Sequence, residues 1–426
     1  MSETKTIVFG TTADYIDLID RRHPERCLFI TDRGERVRSR YRPVDKRSEL
    51  PADLDNFPGL IERVDAYGNE TGTALSGIVA FDDESMLMAA RLAEHFGWSY
   101  VSPAAVNHCR NKYLTHKLWS DAGLACPASE LVGDLNEAAA FQAAHGPDVV
   151  IKPLTGSGSE LTFLCRNRPE LADAFRTIET RLAEHYNRRL FGTSGPECEI
   201  ETYISGREYS TDFIIDHDSV RIIRLAGKVI DSDRPFGTTR AYIVPGDIPE
   251  TIGTGDLEPL LKRAAESLGI ERALCMADFI INNGIVYFLE LAPRIGGDCL
   301  PFLIGHSGGL NMFELALDFA NRMPITVPPS QQWQKLVGLR LLAGRAGTIA
   351  AIDDSTLRRD RRVREIYFKQ GIGHRVVLPP DDYDSRVLGH VIFQPDSDDI
   401  DKECRELERE LSVRMEEPQC LSKTGS

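Results

Sequence analysis

The sequence lacks several features that mark other classes of protein. No apolar run approaches the roughly 18 residues that a membrane-spanning helix needs. Nine cysteines occur without a CxxC pair or a zinc-type spacing, and the ten histidines do not cluster. Basic residues are in deficit, since 50 Lys and Arg face 65 Asp and Glu and give a net charge of −15. This balance argues against a general nucleic-acid or membrane-surface binder, so we expect neither partner.

The N-terminus also lacks the basic segment and apolar stretch of a secretory signal. Together with scattered cysteines, this leads us to expect a reduced, cytoplasmic protein. The 426 residues are 42% hydrophobic and 27% charged, an ordinary globular composition. At roughly 100–200 residues per domain, the length predicts two to four domains.

The first part of the chain alternates short apolar runs with helical patterns. Ile7–Phe9, Cys27–Thr31 and Gly77–Phe81 are predicted strands, and Met86–Phe96 is a predicted helix that ends at Gly97. Alternating strands and helices predict a parallel α/β unit. No complete GxGxxG follows the first strand, which argues against a dinucleotide site.

The rest of the chain carries further apolar patterns and ends in a charged segment. Helices are predicted at Asn111–Asp121, Glu170–Tyr186 and Asp399–Met415, with a polar connection at Arg188–Gly195 and a loose tail at Lys423–Ser426. Strands are predicted at Val149–Leu154, Leu161–Cys165, Cys198–Ile204, Glu208–Ile215, Leu274–Ile281, Ile285–Leu291, Lys335–Ala343, Arg375–Leu378 and Val387–Phe393. Three prolines in 324–329 indicate a boundary, so we predict domains at 1–107, 108–330 and 331–426.

A glycine- and serine-rich loop separates two of these strands. Glycines let backbone N–H groups turn toward an anion, and serine hydroxyls add donors. The residues suited to a phosphate are Lys152 on the preceding strand and Gly156, Ser157, Gly158 and Ser159 in the loop. The lysine precedes the glycines, unlike in a P-loop, so the pattern indicates a flap that closes over a triphosphate. The alternative is an ordinary glycine-rich hairpin.

Two acids lie in apolar strands on either side of the hairpin signal Asn282-Asn283-Gly284. With a three-residue loop Asp278 faces Glu290, whereas a two-residue turn would put them on opposite faces. Adjacent carboxylates repel, and a shared Mg²⁺ removes that penalty. The alternative is a pair of edge carboxylates in solvent.

The segment that follows contains Arg294, Gly296 and Gly297. The arginine could hold an anionic substrate by a forked contact, and the glycines could bring backbone N–H groups to it. A structural Arg–Asp pair with a glycine turn is the alternative. Upstream, Glu201 and Glu208 flank a Ser-Gly turn, where a strand edge could meet an adenine and a carboxylate could hold a ribose. Exposed strand carboxylates are the alternative there.

Taken in order, these segments resemble the ATP-grasp superfamily and, within it, carboxylate–amine ligases such as the L-amino acid ligases. The resemblance implies an α/β (α+β grasp) fold with a Rossmann-like preATP-grasp domain and an ATP-grasp domain. The grasp domain would have a mobile glycine-loop lid at about 126–205, and a small C-terminal α+β domain similar to that of biotin carboxylase would follow.

The resemblance also implies a role for each residue. The nucleotide residues would be Lys112, Lys152, Gly156, Ser157, Gly158, Ser159, Glu201, Thr202, Tyr203, Ile204 and Glu208. Asp278 and Glu290 would hold the metal, and Lys228 and Arg294 would be catalytic. Arg294 would also contact the substrate. Apart from the resemblance, Gly296, Gly297 and His306 are candidate substrate contacts, with Arg234 and Arg240 as further candidates. A surface or loop-packing role is the alternative for His306, Arg234 and Arg240.

The implied reaction joins a small-molecule carboxylate to an amine through an acyl phosphate, converting ATP to ADP and phosphate. ATP and Mg²⁺ would be required, with Mn²⁺ as an alternative ion, and a homodimer is the assembly implied. One position departs from the pattern, because Ala292 stands where many relatives have an Asn ligand. A biotin-carboxylase-like or other acyl-phosphate-forming enzyme and a non-catalytic ATP-binding regulatory subunit are the alternatives.

Overall fold

A computed structural model describes residues 4–38, 41–184, 188–192, 197–249 and 252–416. The predicted tail Lys423–Ser426, the last two residues of the helix predicted to reach Tyr186, and residues 193–195 of the predicted connection lie outside these ranges. Within them, no helix has both the length and the apolar character needed to cross a bilayer.

The N-terminal region is a four-stranded parallel sheet with helices on its faces. Its elements are β1 (Thr4–Phe9), α1 (Ala13–Arg22), β2 (Cys27–Asp32), α2 (Arg33–Arg38), β3 (Glu49–Ala52), α3 (Phe57–Thr71), β4 (Ala74–Val79), α4 (Asp83–Phe96) and α5 (Pro103–Arg110). The strand order is β3-β2-β1-β4. Helix α4 begins where the Asp82 side chain accepts a hydrogen bond from the Ser85 amide and ends at Gly97, whose φ is 71°. The predicted parallel α/β unit is confirmed.

A second, antiparallel sheet of four strands follows helix α6 (Lys112–Asp121). Its elements are β5 (Ser129–Val132), α7 (Leu135–His145), β6 (Val149–Pro153), β7 (Phe163–Cys165), α8 (Arg168–Ala183), α9 (Arg188–Phe191) and β8 (Cys198–Thr202). The strand order is β5-β8-β6-β7, and we call residues 126–205 the lid. The predicted connection from Arg188 begins as a short helix, because Leu190 and Phe191 are buried in the core of the lid.

The remaining chain builds an eight-stranded sheet and a small three-stranded sheet. The elements are β9 (Arg207–Asp216), β10 (Ser219–Ile230), β11 (Thr239–Val244), α10 (Thr254–Ser267), β12 (Arg272–Asn282), β13 (Ile285–Ala292), α11 (Leu300–Gly308), α12 (Met312–Ala320), β14 (Leu336–Leu342), β15 (Gly347–Asp353), β16 (Val363–Phe368), β17 (Arg375–Val376), β18 (Val387–Phe393), α13 (Ile400–Glu410) and β19 (Ser412–Glu416), with 3-10 turns at Ser330–Gln332 and Leu357–Arg359. The large sheet runs β13-β12-β9-β10-β11-β14-β18-β16, and the small one β17-β15-β19.

The large sheet crosses the boundary predicted at residue 330. Strands β11 and β14 pair antiparallel from Ala241↔Leu339 to Val244↔Leu336, so the C-terminal region continues the sheet of the preceding part. The predicted C-terminal helix was wrong beyond Glu410. Leu411 is extended, and the next five residues form β19 against β15, which places Val413 and Met415 on the local apolar core.

The hairpin of β12 and β13 reaches the expected pairing by an unexpected route. Asn282 pairs with Ile285, so the turn has two residues, Asn283 and Gly284, both with positive φ. That turn alone would place Asp278 and Glu290 on opposite faces. A β-bulge between Asp278 and Phe279 shifts the register by one residue, and Asp278 faces Glu290.

Candidate active site

One cleft of about 460 Å³ lies where the N-terminal region, the lid, the large sheet and the C-terminal region meet. Nearly all the residues that the sequence singled out line this cleft. They are Lys112, Lys152, Gly156, Ser157, Gly158, Ser159, Glu201, Thr202, Tyr203, Ile204, Glu208, Lys228, Asp278, Glu290, Arg294, Gly296 and Gly297. His306, Arg234 and Arg240 are not part of this lining.

The two carboxylates predicted to hold a metal lie side by side on β12 and β13. Burial and the charge of Asp278 raise the pKa of Glu290 above its ordinary value. The Oδ1 atom of Asp278 is buried and has no hydrogen-bond partner in the described part of the chain. A divalent cation would satisfy this oxygen and relieve the repulsion, so the donor set fits Mg²⁺. Ala292 closes β13 without a side-chain ligand.

Lys228 on β10 shares this part of the sheet. Its Nζ forms an ion pair with Asp278 and lies 3.9 Å from Glu208 Oε2. Burial acts to lower the pKa of Lys228, but Asp278 and Glu208 outweigh it and raise the pKa above its ordinary value. The ammonium therefore stays charged, and it stands beside the carboxylates where it could neutralise a phosphate.

Two further lysines enter the cleft beneath the lid. Lys112 Nζ donates a hydrogen bond to the carbonyl of Gly156 at 2.8 Å, and burial lowers the pKa of this lysine. Lys152 Nζ lies 2.8 Å from Glu201 Oε1 and 3.5 Å from Glu199 Oε2. Burial opposes its charge, but Glu201 and Glu199 raise its pKa. Both ammonium groups are thus held in place before any ligand arrives.

A buried histidine contacts a carboxylate that also pairs with Lys152, and the sequence analysis did not single it out. His116 Nδ1 lies 2.7 Å from Glu199 Oε1, and its Nε2 lies 3.0 Å from the carbonyl of Leu289. Burial acts to raise the pKa of Glu199, but His116 and Lys152 lower it to about 2. His116, Glu199 and Glu201 have donor atoms within 4.8 Å of one another, as a metal site would. The ammonium of Lys152 already supplies the positive charge that these carboxylates need.

The backbone of the glycine loop has a conformation in which a residue with a side chain would be strained. Gly156 has a φ of 137°, and a Cβ there would lie 2.9 Å from the Phe191 ring. Ser159 Oγ donates to the carbonyl of Gly237 at 3.2 Å, which ties the loop to the segment before β11. The hydroxyl of Ser157 makes no hydrogen bond with any described residue, so it is free to meet a ligand.

The strand edge predicted to meet adenine is already partly engaged. The Thr202 amide donates to the carbonyl of Ala128 at 2.9 Å, and the Tyr203 amide donates to the backbone carbonyl of Asp148 at 3.2 Å. The amide of Ile204 makes no such bond within the described residues, which makes it the available donor at this edge. Tyr203 is 38% exposed and lines the same end of the cleft.

Arg294 is held from the other side by a residue that sequence reasoning missed. Its Nε and Nη2 donate to the two carboxylate oxygens of Asp83, at 3.1 and 2.6 Å. Burial acts to raise the pKa of Asp83, but the Arg294 guanidinium outweighs it and lowers the pKa. The two residues are 211 positions apart, and no local pattern in the sequence joins them.

The glycines after Arg294 differ in what they offer. The Gly296 amide donates to Asp212 Oδ1 at 2.7 Å, and a Cβ at Gly296 would lie 2.6 Å from Arg224 Nη2. The Asp212–Arg224 pair is buried, so Gly296 serves close packing and its amide is occupied. Gly297 lines the cleft opposite the Tyr15 hydroxyl.

The other candidate substrate residues have partners elsewhere. His306 on α11 pairs with Glu365. Arg240 is 3% exposed and makes ion pairs with Asp231, Asp401 and Glu408. Arg234 pairs with Asp231 as well. The lining instead includes residues of the C-terminal region that no motif indicated: Arg340, Tyr367, Lys369, Asp384 and His390.

Comparisons with known proteins find similarity in sequence and in fold. Residues 146–302 match the model of an ATP-grasp domain. The chain is 25% identical over 205 residues to dapdiamide A synthase of Enterobacter agglomerans, a match that covers 46% of this chain and 46% of that protein. It therefore spans less than half the length of this curated relative.

Solved structures share the fold over nearly the whole chain. The L-amino acid ligase from Bacillus licheniformis superposes with a TM-score of 0.76 at 18% identity, covering 98% of this chain and 100% of that one. Biotin carboxylase from Campylobacter jejuni, solved with an ATP analogue, gives 0.67 at 14% identity and covers 97% and 92%. Residues 146–302 of this chain are therefore an ATP-grasp domain, and the fold of the whole chain is that of these solved structures.

Proposed function

We propose that this protein is an ADP-forming carboxylate–amine ligase that makes an amide or peptide bond through an acyl phosphate. The observation that carries the proposal is that Asp278, Glu290, Lys228 and Arg294 line one cleft, where Asp278 faces Glu290 and pairs with Lys228. A carboxylate pair for a metal, lysines for phosphates and an arginine for a carboxylate together suit phosphoryl transfer to a carboxylate. The proposed substrates are an amino acid or a small carboxylate and an amine.

The phosphate end of the cleft would bind ATP chiefly by charge. Lys112 and Lys152 would contact the α- and β-phosphates, with Ser157 and the loop amides above them. Ile204 would donate to adenine, and Glu208 would accept from the ribose hydroxyls. Asp278 and Glu290 would hold Mg²⁺, which when bound supplies positive charge to the phosphates.

The first chemical step would be attack of the substrate carboxylate on the γ-phosphate. Arg294 would orient that carboxylate, because Asp83 fixes two of its nitrogen atoms and so sets the plane of its guanidinium. Lys228 would stabilise the charge of the transferred phosphoryl group. ADP leaves, and the carboxylate carries the phosphoryl group.

The second step would be attack of the amine on the acyl carbon, which expels phosphate and forms the amide. Water would compete for the same carbon. The lid would lower this loss, since its glycine loop lies across the cleft and is tied to Gly237. The cytoplasmic location, the homodimer and the division at 107 and 330 stay predictions.

The test is release of ADP and phosphate from Mg-ATP with amino acids, small carboxylates, amines and bicarbonate, alone and in pairs. Products would be identified by mass spectrometry. We expect turnover that requires a particular carboxylate and amine and yields one amide per ADP. Turnover with bicarbonate alone would replace the proposal with a carboxylase-like reaction. Nucleotide binding without turnover on the whole panel would favour a regulatory subunit.

A further inference from the structure

The connection between β17 and β18 leaves the C-terminal region and enters the lid. We call this connection, residues 377–386, the strap. Its Tyr383 is 6% exposed and lies in the apolar core of the lid, with Ile151, Leu161 and Phe191 among its members. Within the part of the chain that the structure describes, Tyr383 is the one buried residue of that core contributed from outside residues 126–205.

A second contact joins the strap to helix α8 of the lid. Arg181 Nη2 donates to the carbonyl of Asp381 at 2.6 Å, and Arg181 Nη1 lies 3.6 Å from the Asp381 carboxylate. The aromatic ring and this arginine therefore hold the lid at two separate points. One point lies in its core and the other on its outer helix.

The strap has its own internal order. Ser385 Oγ accepts from the Val377 amide and donates to the Val377 carbonyl, both at 3.0 Å, which closes the base of the loop. The Asp382 side chain accepts from the amides of Asp384 and Ser385 at 2.8 and 3.0 Å. A segment that is already folded loses little conformational entropy when the lid docks onto it.

The docking point lies next to the glycine loop. A hydrogen bond with the backbone of Leu161 opposes the effect of burial, which raises the pKa of the Tyr383 hydroxyl. Leu161 lies two residues after Ser159, at the end of the glycine loop. Beside Tyr383, Asp384 lines the cleft itself. One short segment thus touches both the lid and the substrate end of the cleft.

We propose that Tyr383 is a positioning residue that latches the lid of this enzyme closed from the C-terminal region. The role in holding nucleotide rests on the proposed function, whereas the contact itself does not. If a protein binds its ligand only when the lid is closed, its apparent affinity is the affinity of the closed form multiplied by the fraction of molecules that are closed. Loss of the latch would therefore loosen the lid and weaken nucleotide binding together.

The test uses the full chain with Tyr383→Ala, Tyr383→Phe and Arg181→Ala. Arg176→Ala is the matched control, because Arg176 lies on the same helix, is 70% exposed and, among the described residues, pairs with Asp173 alone. Hydrogen exchange would be measured by mass spectrometry without nucleotide. Affinity for the magnesium complex of the non-hydrolysable analogue AMP-PNP would be measured by calorimetry.

We expect Tyr383→Ala to speed exchange in residues 149–165 by about tenfold or more and to weaken AMP-PNP binding by a similar factor. Tyr383→Phe keeps the ring, so its exchange rate and its affinity should both be close to those of the wild type. Arg181→Ala should change the two quantities less than Tyr383→Ala does, and Arg176→Ala should change neither. Wild-type exchange and affinity in Tyr383→Ala would overturn the latch. Faster exchange throughout the molecule, with unchanged affinity, would also overturn it and leave Tyr383 a purely structural role.

The two proposals fail in different ways. If the wild-type protein binds no AMP-PNP, the proposed function fails. Exchange without nucleotide then still decides whether Tyr383 holds the lid. If the wild-type protein binds AMP-PNP and Tyr383→Ala is identical to it in both measurements, the latch fails and the ligase proposal stands.

Discussion

The two ends of the cleft are built in different ways. At the phosphate end, each cation pairs with a carboxylate of its own sheet. Lys228 pairs with Asp278 across the intervening strand β9, and Lys152 pairs with Glu201 on the neighbouring strand of the lid. At the substrate end, the Arg294–Asp83 pair joins separate parts of the chain, and residues of the C-terminal region complete the wall. The phosphate end is thus a property of local segments, whereas the substrate end exists only after the regions assemble.

The largest expected effect is at the phosphate end. Glu290→Gln should reduce ATP turnover by roughly 10²–10³-fold, the range for loss of one transition-state stabiliser. The amide also removes repulsion with Asp278, so Tm should stay level or rise. Steady-state kinetics and thermal unfolding check both, with Glu266→Gln on the exposed face of α10 as control. A fall in Tm that matches the lost activity would contradict a functional carboxylate pair.

The next effect tests the substrate end. Arg294→Lys keeps the charge but cannot fill the forked contact with Asp83 and still orient a carboxylate. We expect kcat/KM for the carboxylate to fall by up to about 10²-fold, the cost of a small misplacement. Affinity for AMP-PNP should remain as in the wild type. Equal losses in nucleotide and carboxylate binding would erase the distinction between the two ends.

The third prediction concerns how the contribution of His116, at the phosphate end, to the free energy of unfolding depends on pH. Burial acts to lower the pKa of His116, but Glu199 and Glu201 raise it above its ordinary value. The stabilisation of the folded state by protonated His116 is therefore complete below the ordinary histidine pKa, and it is lost as the pH rises through the raised pKa of His116. His116→Gln should cost roughly 1–3 kcal/mol at pH 6 and less at pH 9. Urea unfolding at both pH values measures it, and an equal cost would refute the charged pair.

The smallest effect separates two serines of the glycine loop. The Ser157 hydroxyl makes no hydrogen bond with another described residue, so Ser157→Ala should weaken AMP-PNP binding by roughly fivefold, the equivalent of about one hydrogen bond. Ser159 is bound to the Gly237 carbonyl. Ser159→Ala should therefore act on the order of the loop and show faster hydrogen exchange there. Calorimetry of both variants tests this difference, and identical losses of affinity would contradict the separate roles given to the two serines.

The contrast between the two ends also explains what the sequence could predict. Lys152, the glycine loop and the hairpin acids lie in short segments whose spacing is readable, and these segments come together as expected. The facing of Asp278 and Glu290 was expected for a different reason, because a bulge cannot be read from side-chain alternation. Asp83 and Tyr383 act through contacts between regions, which no single-sequence pattern reveals.

His306 illustrates the opposite limit. It was a candidate substrate contact, with a surface or loop-packing role as the alternative, and helix α11 carries it outside the cleft lining to Glu365. Proximity along the chain is a poor guide once a helix intervenes, since residues on different faces of a helix diverge. The C-terminal end shows a similar limit. The spacing of charged residues predicted a helix up to Met415, whereas the structure has strand β19 from Ser412.

The pairing of β11 with β14 has a practical consequence for anyone who cuts this protein into pieces. A fragment that ends before β14 would expose the whole N–H and C=O row of β11 that β14 now covers. Bare strand edges of this kind recruit other chains and aggregate. Fragments divided near residue 330 should therefore precipitate or associate with each other, and useful truncations should spare this seam.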